Sequence, residues 1–175
     1  MIPNPRMKKT IIISLTLGLA SAAALSSCNT TGCTDNQSSL PLAGFYSSQT
    51  KSAITLQDLD IGGVGAPDDS LLYTSGTGLS QAYLPFRSTA TSTAYCFHYT
   101  QEGLDDAAYN DTISFSYTSE PYFASEECGA MLRYKITKMS HTSHLIDSVI
   151  VADSLITNTD IERIRIYFRP SSTEP

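Results

Sequence analysis

Carboxylates between residues 58 and 69 have a spacing that could bind a calcium ion. Counted from Asp58, acids stand at positions 1, 3 and 12 of a loop, as Asp58, Asp60 and Asp69, with Gly63 at position 6. Calcium prefers oxygen ligands, and the glycine permits the sharp turn of such a loop. However, Gly62 at position 5 has no side-chain oxygen, and position 12 is Asp where a bidentate Glu is usual. A strand, a glycine turn and a second strand is the competing interpretation, and we expect no metal or cofactor here.

The other reactive side chains are histidines, serines and adjacent acids. His141 and His144 lie in a polar stretch, and His98 lies in a strand-like segment. Zinc needs three or four converging ligands, which this spacing does not indicate. The many serines lack a Gly-x-Ser-x-Gly elbow, and the adjacent acids at 105–106 and 126–127 would point to opposite faces of a strand. We therefore expect that the protein is not an enzyme.

The first 27 residues have the layout of a secretory signal. Arg6, Lys8 and Lys9 precede an uncharged apolar run of about 16 residues, shorter than the roughly 20 that a membrane-spanning helix needs. The run ends in Leu25-Ser-Ser-Cys28, which resembles the lipobox of bacterial lipoproteins. Its small residues would fit a peptidase cleft, and the Cys28 thiol would form a thioether with diacylglycerol. We expect cleavage before Cys28 and anchoring to a membrane through acyl chains such as palmitate on that cysteine.

Composition without this signal predicts one acidic domain. Residues 1–27 contain three of the 11 basic residues and none of the 17 acidic ones, so the remaining 148 residues have a formal net charge of −9. A surface of this sign repels phosphate backbones, and we expect no binding to nucleic acid. The remaining length is enough to bury the core of a single domain.

Three cysteines remain beside the lipidated one, and export makes a disulfide between two of them feasible. Cys33 and Cys128 stand in loop-like segments, whereas Cys96 lies within the strand pattern Ala94–Tyr99 and suits a small packed residue. An odd number leaves one thiol unpaired. We favour a Cys33–Cys128 bond, with three reduced cysteines as the alternative.

Alternation of apolar and polar residues dominates the rest of the chain. Apolar side chains occupy every second position at Ile113–Tyr117, Leu132–Ile136 and Ile164–Phe168, the pattern of half-buried strands. Less regular strand candidates are Leu40–Tyr46, Ala53–Ile61, Leu71–Thr74, Leu79–Phe86, Tyr95–Thr100 and Leu145–Ile156. Glycine, proline and Asn-Asp turns separate them. The sequence therefore predicts an all-β, immunoglobulin-like β-sandwich of about eight or nine antiparallel strands, with an up-and-down barrel as the alternative.

Domain boundaries follow from these patterns. Residues 1–27 are the expected lipoprotein signal, and the small, polar residues 28–38 are the expected lipid anchor and tether. Residues 39–170 are the expected β-sandwich domain. Residues 171–175 are the expected frayed tail.

Six segments of the mature chain stand out together: Cys33-Thr-Asp, Pro41–Tyr46, Asp69–Tyr73, Leu84-Pro85, Phe123–Gly129 and Ile164–Phe168. Together they resemble a family of uncharacterised envelope lipoproteins from Bacteroidales-type bacteria, and the segment Phe123-Ala-Ser-Glu-Glu-Cys128-Gly129 is the most specific. The resemblance implies no assigned activity and no catalytic residues. It implies an outer-membrane barrel-like protein as partner. Both Cys33 and Cys128 fall in similar segments, which adds support to their pairing.

The residues directly after Cys28 indicate where in the cell envelope the protein is expected to lie. Asn29-Thr-Thr-Gly32 contains no acid, and the first acid is Asp35, whereas surface-exported lipoproteins of these bacteria typically carry acids directly after the cysteine. We therefore expect an anchor in the outer membrane with the domain facing the periplasm. The expected function is a non-catalytic accessory or protein-binding module of the bacterial cell envelope. The alternative is a glycan- or calcium-binding β-sandwich domain, in which tyrosines would stack on sugar.

Overall fold

Ten β-strands make up most of the structure, a computed structural model that describes residue 33 and residues 38–170. In chain order they are β1 (Leu42–Ser47), β2 (Leu59–Gly63), β3 (Leu71–Tyr73), β4 (Gln81–Tyr83), β5 (Ser92–Tyr99), β6 (Asp111–Ser125), β7 (Gly129–His141), β8 (Ile146–Val151), β9 (Leu155–Ile156) and β10 (Glu162–Phe168). Single turns of 3-10 helix lie at Pro67–Asp69 and Ala107–Tyr109. In this part of the chain, no helix is long and apolar enough to cross a membrane.

The predicted signal peptide, the cleavage site and the lipidation of Cys28 lie outside the described residues, as does the tail at 171–175. Of the predicted tether, residues 28–38, the structure describes Cys33 and Ser38. The domain boundaries drawn from the sequence therefore stay predictions.

The strands form two sheets that pack against each other. The four-stranded sheet has the order β4-β1-β10-β8, and the six-stranded sheet has the order β3-β2-β5-β6-β7-β9. The predicted all-β sandwich is thereby confirmed, with ten strands in the described residues. One pairing departs from the predicted antiparallel pattern, because β1 runs parallel to β10, from Ala43 opposite Ile164 to Ser47 opposite Phe168. Parallel neighbours need a long connection, and here the strands from β2 to β9 supply it.

Alternation along the strands brings apolar side chains of both sheets into one core. Fully buried members are Ala43, Phe45, Ile164 and Ile166 from the four-stranded sheet, and Ile61, Phe97, Ile113 and Phe115 from the six-stranded sheet. Phe86, in the segment after β4, stacks on Tyr117 with ring centroids 4.3 Å apart and planes inclined by 3°. Each large apolar side chain buried in this way contributes about 1.5–3 kcal/mol. The alternation therefore accounts for the position of the core.

Two predicted strands are shorter or divided in the structure. Within Ala53–Ile61, ladder pairing begins at Leu59, and the preceding residues make isolated bridges at Ala53 and Leu56. Their alternation arises because Ile54 and Leu56 pack along one end of the sandwich while the polar residues between them stay exposed. Leu145–Ile156 divides because β8 joins the four-stranded sheet and β9 joins the six-stranded one.

Strands β6 and β7 form a long hairpin that continues past the neighbouring strand of their sheet. Pairing between β5 and β6 ends at Ser92 and Ser116, whereas pairing between β6 and β7 continues to Ser125 and Gly129. We call residues 118–135 the hairpin arm. The arm therefore extends past β5 at the end opposite to the start of β6; its base pairs with β9 through Tyr134 and Lys135, and Tyr122 Oη donates to Asn158 Oδ1 at 2.7 Å.

Candidate functional site

A disulfide joins Cys33 to Cys128, which lies in the turn of the hairpin arm. The two Cα atoms are 4.7 Å apart, although 95 residues separate them in sequence. The amide of Cys128 donates to Ser125 Oγ at 3.0 Å, which fixes the turn. This is the pair that the sequence favoured, and the bond holds Cys33 at the tip of the hairpin arm.

Cys96 carries a free, half-buried thiol in the middle of β5. Burial raises the pKa of this thiol above its usual range, and the negative charge of Asp111 acts in the same direction. A thiol that stays protonated at neutral pH is a poor nucleophile. Cys96 therefore serves as a small packed residue.

The three acids of the calcium hypothesis do not form a metal site. Asp58 precedes β2, Asp60 lies within it, and Asp69 ends the 3-10 turn before β3. Asp60 Oδ1 accepts the amide of Ser75 at 2.6 Å, so this carboxylate secures the turn after β3. In residue 33 and residues 38–170, no group of three or more His, Cys, Asp or Glu side chains is arranged to hold a metal ion. The acid spacing therefore reflects two strands joined by a glycine turn.

The three histidines contact oxygen atoms near the start of β6. His98 Nδ1 lies 2.9 Å from Asn110 Oδ1, and its Nε2 lies 3.2 Å from Asp105 Oδ1. His144 Nδ1 donates to the carbonyl of Asn110 at 2.8 Å. His141 contacts the carbonyl of the following residue. His98 thus contacts the side chain of Asn110 and His144 its backbone carbonyl, and the two do not converge on a ligand.

Four of the ten tyrosines considered as stacking faces for sugar are core residues. Those buried in the core are Tyr95, Tyr99, Tyr117 and Tyr134. Tyr46 and Tyr167 lie side by side on the outer face of the four-stranded sheet, with ring centroids 5.5 Å apart. Lys51 Nζ lies 4.8 Å from the Tyr167 centroid, and the Arg165 guanidinium lies 5.9 Å from that of Tyr46. These cation–π contacts occupy the faces on which a sugar would stack.

Asp111 is a buried carboxylate at the start of β6 that the sequence analysis missed. Its side chain is 0% exposed and accepts five hydrogen bonds. The hydroxyls of Tyr99 and Thr142 donate at 3.0 and 2.7 Å, and the amides of residues 144–146 donate at 2.8 Å each. These amides belong to the loop after β7 and to the first residue of β8, where the chain passes from one sheet to the other. Asp111 therefore secures the crossing between the two sheets.

The same contacts set the protonation states of Asp111 and Tyr99. Burial would raise the pKa of the Asp111 carboxyl because it penalises the charged form, but the amides and the Thr142 hydroxyl outweigh it and hold this pKa below its usual range. Burial, followed by the adjacent Asp111 charge, raises the pKa of Tyr99 far above its usual range. Asp111 is thus an ionised acceptor and Tyr99 a protonated donor.

The phase of β6 is a sequence signal that could have revealed Asp111. Ile113, Phe115 and Tyr117 face the core, and Asp111 has the same phase two residues earlier. An acid in the core-facing phase must be hydrogen-bonded or paired, because an isolated buried charge is very costly. Because Asn110-Asp111 was interpreted as an ordinary turn, the burial of Asp111 was not predicted.

A cleft of about 520 Å³ opens at the same end of the sandwich. We call it the strand-end cleft, and its lining residues are Ser47, Ile54–Leu59, Tyr99, Gln101, Leu104, Leu145 and Phe168–Pro170. Half-buried Ile54, Leu56, Leu104 and Leu145 pack on the core and give the cleft an apolar floor. Exposed polar residues of the 54–59 segment form its rim. An apolar floor with a few polar groups is typical of a recognition site.

Asp111 and Arg169 hold the wall of this cleft in place. Tyr99 and Leu145 line the cleft, and both donate hydrogen bonds to Asp111. Arg169 Nη1 donates to the carbonyls of residues 143 and 144 at 2.7 and 2.8 Å. The charged groups of Asp111 and Arg169 therefore hold the loop beside the cleft in place.

The strand-end cleft and the disulfide lie at opposite ends of β6. The strand begins at Asp111 beside the cleft and ends at Ser125, three residues before Cys128. A strand of 15 residues spans about 45 Å. The structure thus separates the Cys33–Cys128 disulfide from the strand-end cleft.

No curated protein and no solved structure matches the chain. A family model described as a family of unknown function (DUF6452) matches residues 58–168. The match begins just before β2 and ends with β10, so it includes Asp111 and Cys128, while β1 and Cys33 precede it. The expectation of an uncharacterised family is thereby confirmed. Because the match covers more than half of the chain, the protein belongs to this family of unknown function.

Proposed function

We propose that the protein is a non-catalytic binding module of the bacterial cell envelope, anchored to the outer membrane by lipid on Cys28 and facing the periplasm. In this proposal the strand-end cleft holds a segment of another envelope protein. The observation that carries it is the placement of the cleft and the Cys33–Cys128 disulfide at opposite ends of β6.

This placement supports a tethered binding module because the anchored end and the recognition end do not compete for one surface. Cys28 is five residues before Cys33, so a lipid on Cys28 would be attached close to the tip of the hairpin arm. The cleft lies about 45 Å along the strand from that tip. A partner could therefore reach the cleft while the protein stays on the membrane.

The lining of the cleft supports a protein segment as the ligand. Its apolar floor offers a place for one or two apolar side chains, and the exposed Thr55, Gln57 and Asp58 offer hydrogen bonds at the rim. Short segments are commonly recognised by such a combination. An outer-membrane barrel, the partner implied by the family resemblance, presents short periplasmic turns of suitable size. A glycan or a calcium ion has less support, given the covered tyrosines and the dispersed acids described above.

Site-specific photo-crosslinking tests the proposal. A photoreactive amino acid at Thr55, on the rim of the cleft, is expected to give a discrete adduct with an envelope protein in cells. The same amino acid at Ser88, exposed in the loop before β5, is expected to give none. Leu56→Glu, which places a charge on the apolar floor, should abolish the Thr55 adduct because desolvating that charge opposes binding.

Gel mobility and mass spectrometry of the adducts read out this experiment, and cooperative thermal unfolding of Leu56→Glu serves as the folding control. Adducts of equal yield at Thr55 and Ser88 would contradict a role for the cleft. So would a Thr55 adduct that persists in a folded Leu56→Glu protein.

A further inference from the structure

The core-facing side of the hairpin arm continues beyond the core as an exposed apolar strip. The strip consists of the exposed residues Pro121, Phe123 and Ala130; Phe123 pairs with Ala130, and Pro121 pairs with Leu132, which still packs against the core. Phe123 has the same phase as Phe115 and Tyr117, which are buried between the sheets. Phe123 itself is 67% exposed, the most exposed large apolar side chain in the described residues. A sheet face that is buried in the sandwich thus lacks cover at the tip of the arm.

Covalent geometry limits how far the proposed anchor on Cys28 can lie from the disulfide beside this strip. Cys33 is the fifth residue after Cys28, and a chain of that length spans at most about 18 Å. The disulfide holds Cys33 against Cys128, in the turn between the two strands that carry the strip. Among the described residues after Cys33, the first that is buried is Ser39, and the chain from Cys28 to Ser39 could span about 40 Å. The disulfide therefore gives a lipid on Cys28 a shorter covalent connection to the arm than the chain through Ser39 does.

We propose that the tip of the hairpin arm rests on the bilayer, with Phe123 in the headgroup region, so that the sandwich stands on the membrane with the strand-end cleft facing away from it. This inference rests on the proposed lipid anchor at Cys28. An exposed apolar side chain held within reach of the lipid gains by entering the boundary between headgroups and acyl chains. The surface that covers the exposed apolar strip is therefore that of a lipid bilayer.

The charge of the arm tip specifies the kind of lipid. Glu126 and Glu127 are exposed in the turn beside Cys128, and the pair Glu120–Arg133 further along the arm is neutral as a pair. Two free carboxylates oppose contact with anionic headgroups and favour contact with an ammonium group. The lipid surface is accordingly zwitterionic rather than anionic.

Tryptophan fluorescence tests the proposal, because the chain contains no tryptophan. Lipidated Phe123→Trp protein is incorporated into vesicles of phosphatidylethanolamine and phosphatidylcholine whose upper acyl chains carry bromine, a quencher. We expect a blue-shifted emission that bromine lowers roughly twofold, since the side chain lies at the headgroup–acyl boundary. Tyr109→Trp is the matched control, because Tyr109 is 44% exposed and lies beside the start of β6, at the opposite end. Its emission should match that in water and resist quenching.

Three outcomes would overturn the inference. The first is equal quenching of the two tryptophans. The second is a blue-shifted Phe123→Trp emission in the unlipidated Cys28→Ser protein without vesicles, because a second copy would then cover the strip. The third is undiminished quenching in the lipidated double variant Cys33→Ser and Cys128→Ser, with folding verified by cooperative unfolding, because the disulfide would then not hold the arm down.

Mass spectrometry of the same samples separates this inference from the proposed anchor. Lipid absent from Cys28 would refute the anchor, and with it this orientation. Lipid present without quenching of Phe123→Trp would overturn the orientation alone.

Discussion

Asp111→Ala is expected to lower the free energy of unfolding by about 4–5 kcal/mol, because each buried donor left without an acceptor costs roughly 1–3 kcal/mol. The substitution removes the acceptor for the hydroxyls of Tyr99 and Thr142 and for the amides of residues 144–146. Some of the five donors will find water, which keeps the total below the sum of separate losses. Urea-induced unfolding measures the effect.

Asp147→Ala is the matched control for this experiment. Asp147 lies close by in β8 but is exposed, and its contact with Arg169 Nε at 3.3 Å is a surface ion pair. Such pairs contribute about 0–1 kcal/mol. Asp111→Ala within 1 kcal/mol of Asp147→Ala would contradict the role assigned to the buried carboxylate.

The lowered pKa of Asp111 makes its contribution depend on pH. Because this pKa is lower in the folded than in the unfolded protein, the carboxylate stabilises the fold above its ordinary pKa of about 3.9. That stabilisation is lost as the pH falls through the folded-state pKa. The stability difference between wild type and Asp111→Asn should therefore be constant above about pH 5 and shrink below about pH 4. An equal difference at both ends of this range would show that Asp111 acts without its charge.

Cys28→Ser is expected to move the protein almost completely from the membrane fraction to the soluble fraction. The substitution removes the sulfur that would form the thioether, so diacylglycerol transfer cannot occur. Two or three acyl chains hold a protein essentially permanently, since each buried methylene contributes about 0.8 kcal/mol. Detergent partitioning and fatty-acid labelling measure the change.

Cys96→Ser is the matched control, because it makes the same chemical change at a thiol inside β5. This variant should keep both the label and the membrane association. A Cys28→Ser protein that stays in the membrane fraction after a high-salt wash would contradict the proposed anchor.

Period-two alternation predicts the fold class because a sandwich buries one face of each strand. Ile113–Tyr117 and Ile164–Phe168 alternate strictly, and each lies within a strand of the core. Alternation does not show in which direction a strand runs or with which strand it pairs, so the parallel pairing of β1 and β10 could not be predicted. Nor does it distinguish a strand from a loop packed along the sandwich, which is why Ala53–Ile61 was predicted as one strand.

Predicting the candidate site from sequence is harder, because its parts come from distant segments. The strand-end cleft combines Ser47, the 54–59 segment, Tyr99, Leu145 and the end of β10, which topology alone brings together. The spacing of the acids after Asp58 suggested a calcium loop. Spacing alone does not show that the Asp60 carboxylate accepts a hydrogen bond from the turn after β3. Burial of Asp111 could be predicted from its phase in β6, but its five donors could not.

Intact mass and fragmentation of the mature N-terminus test the central claim most directly, that this domain is held to a membrane by lipid on Cys28. We expect a chain that begins at Cys28 and carries a diacylglyceryl thioether on that residue. A free, unmodified terminus anywhere in residues 20–35 of the wild-type protein would contradict the claim.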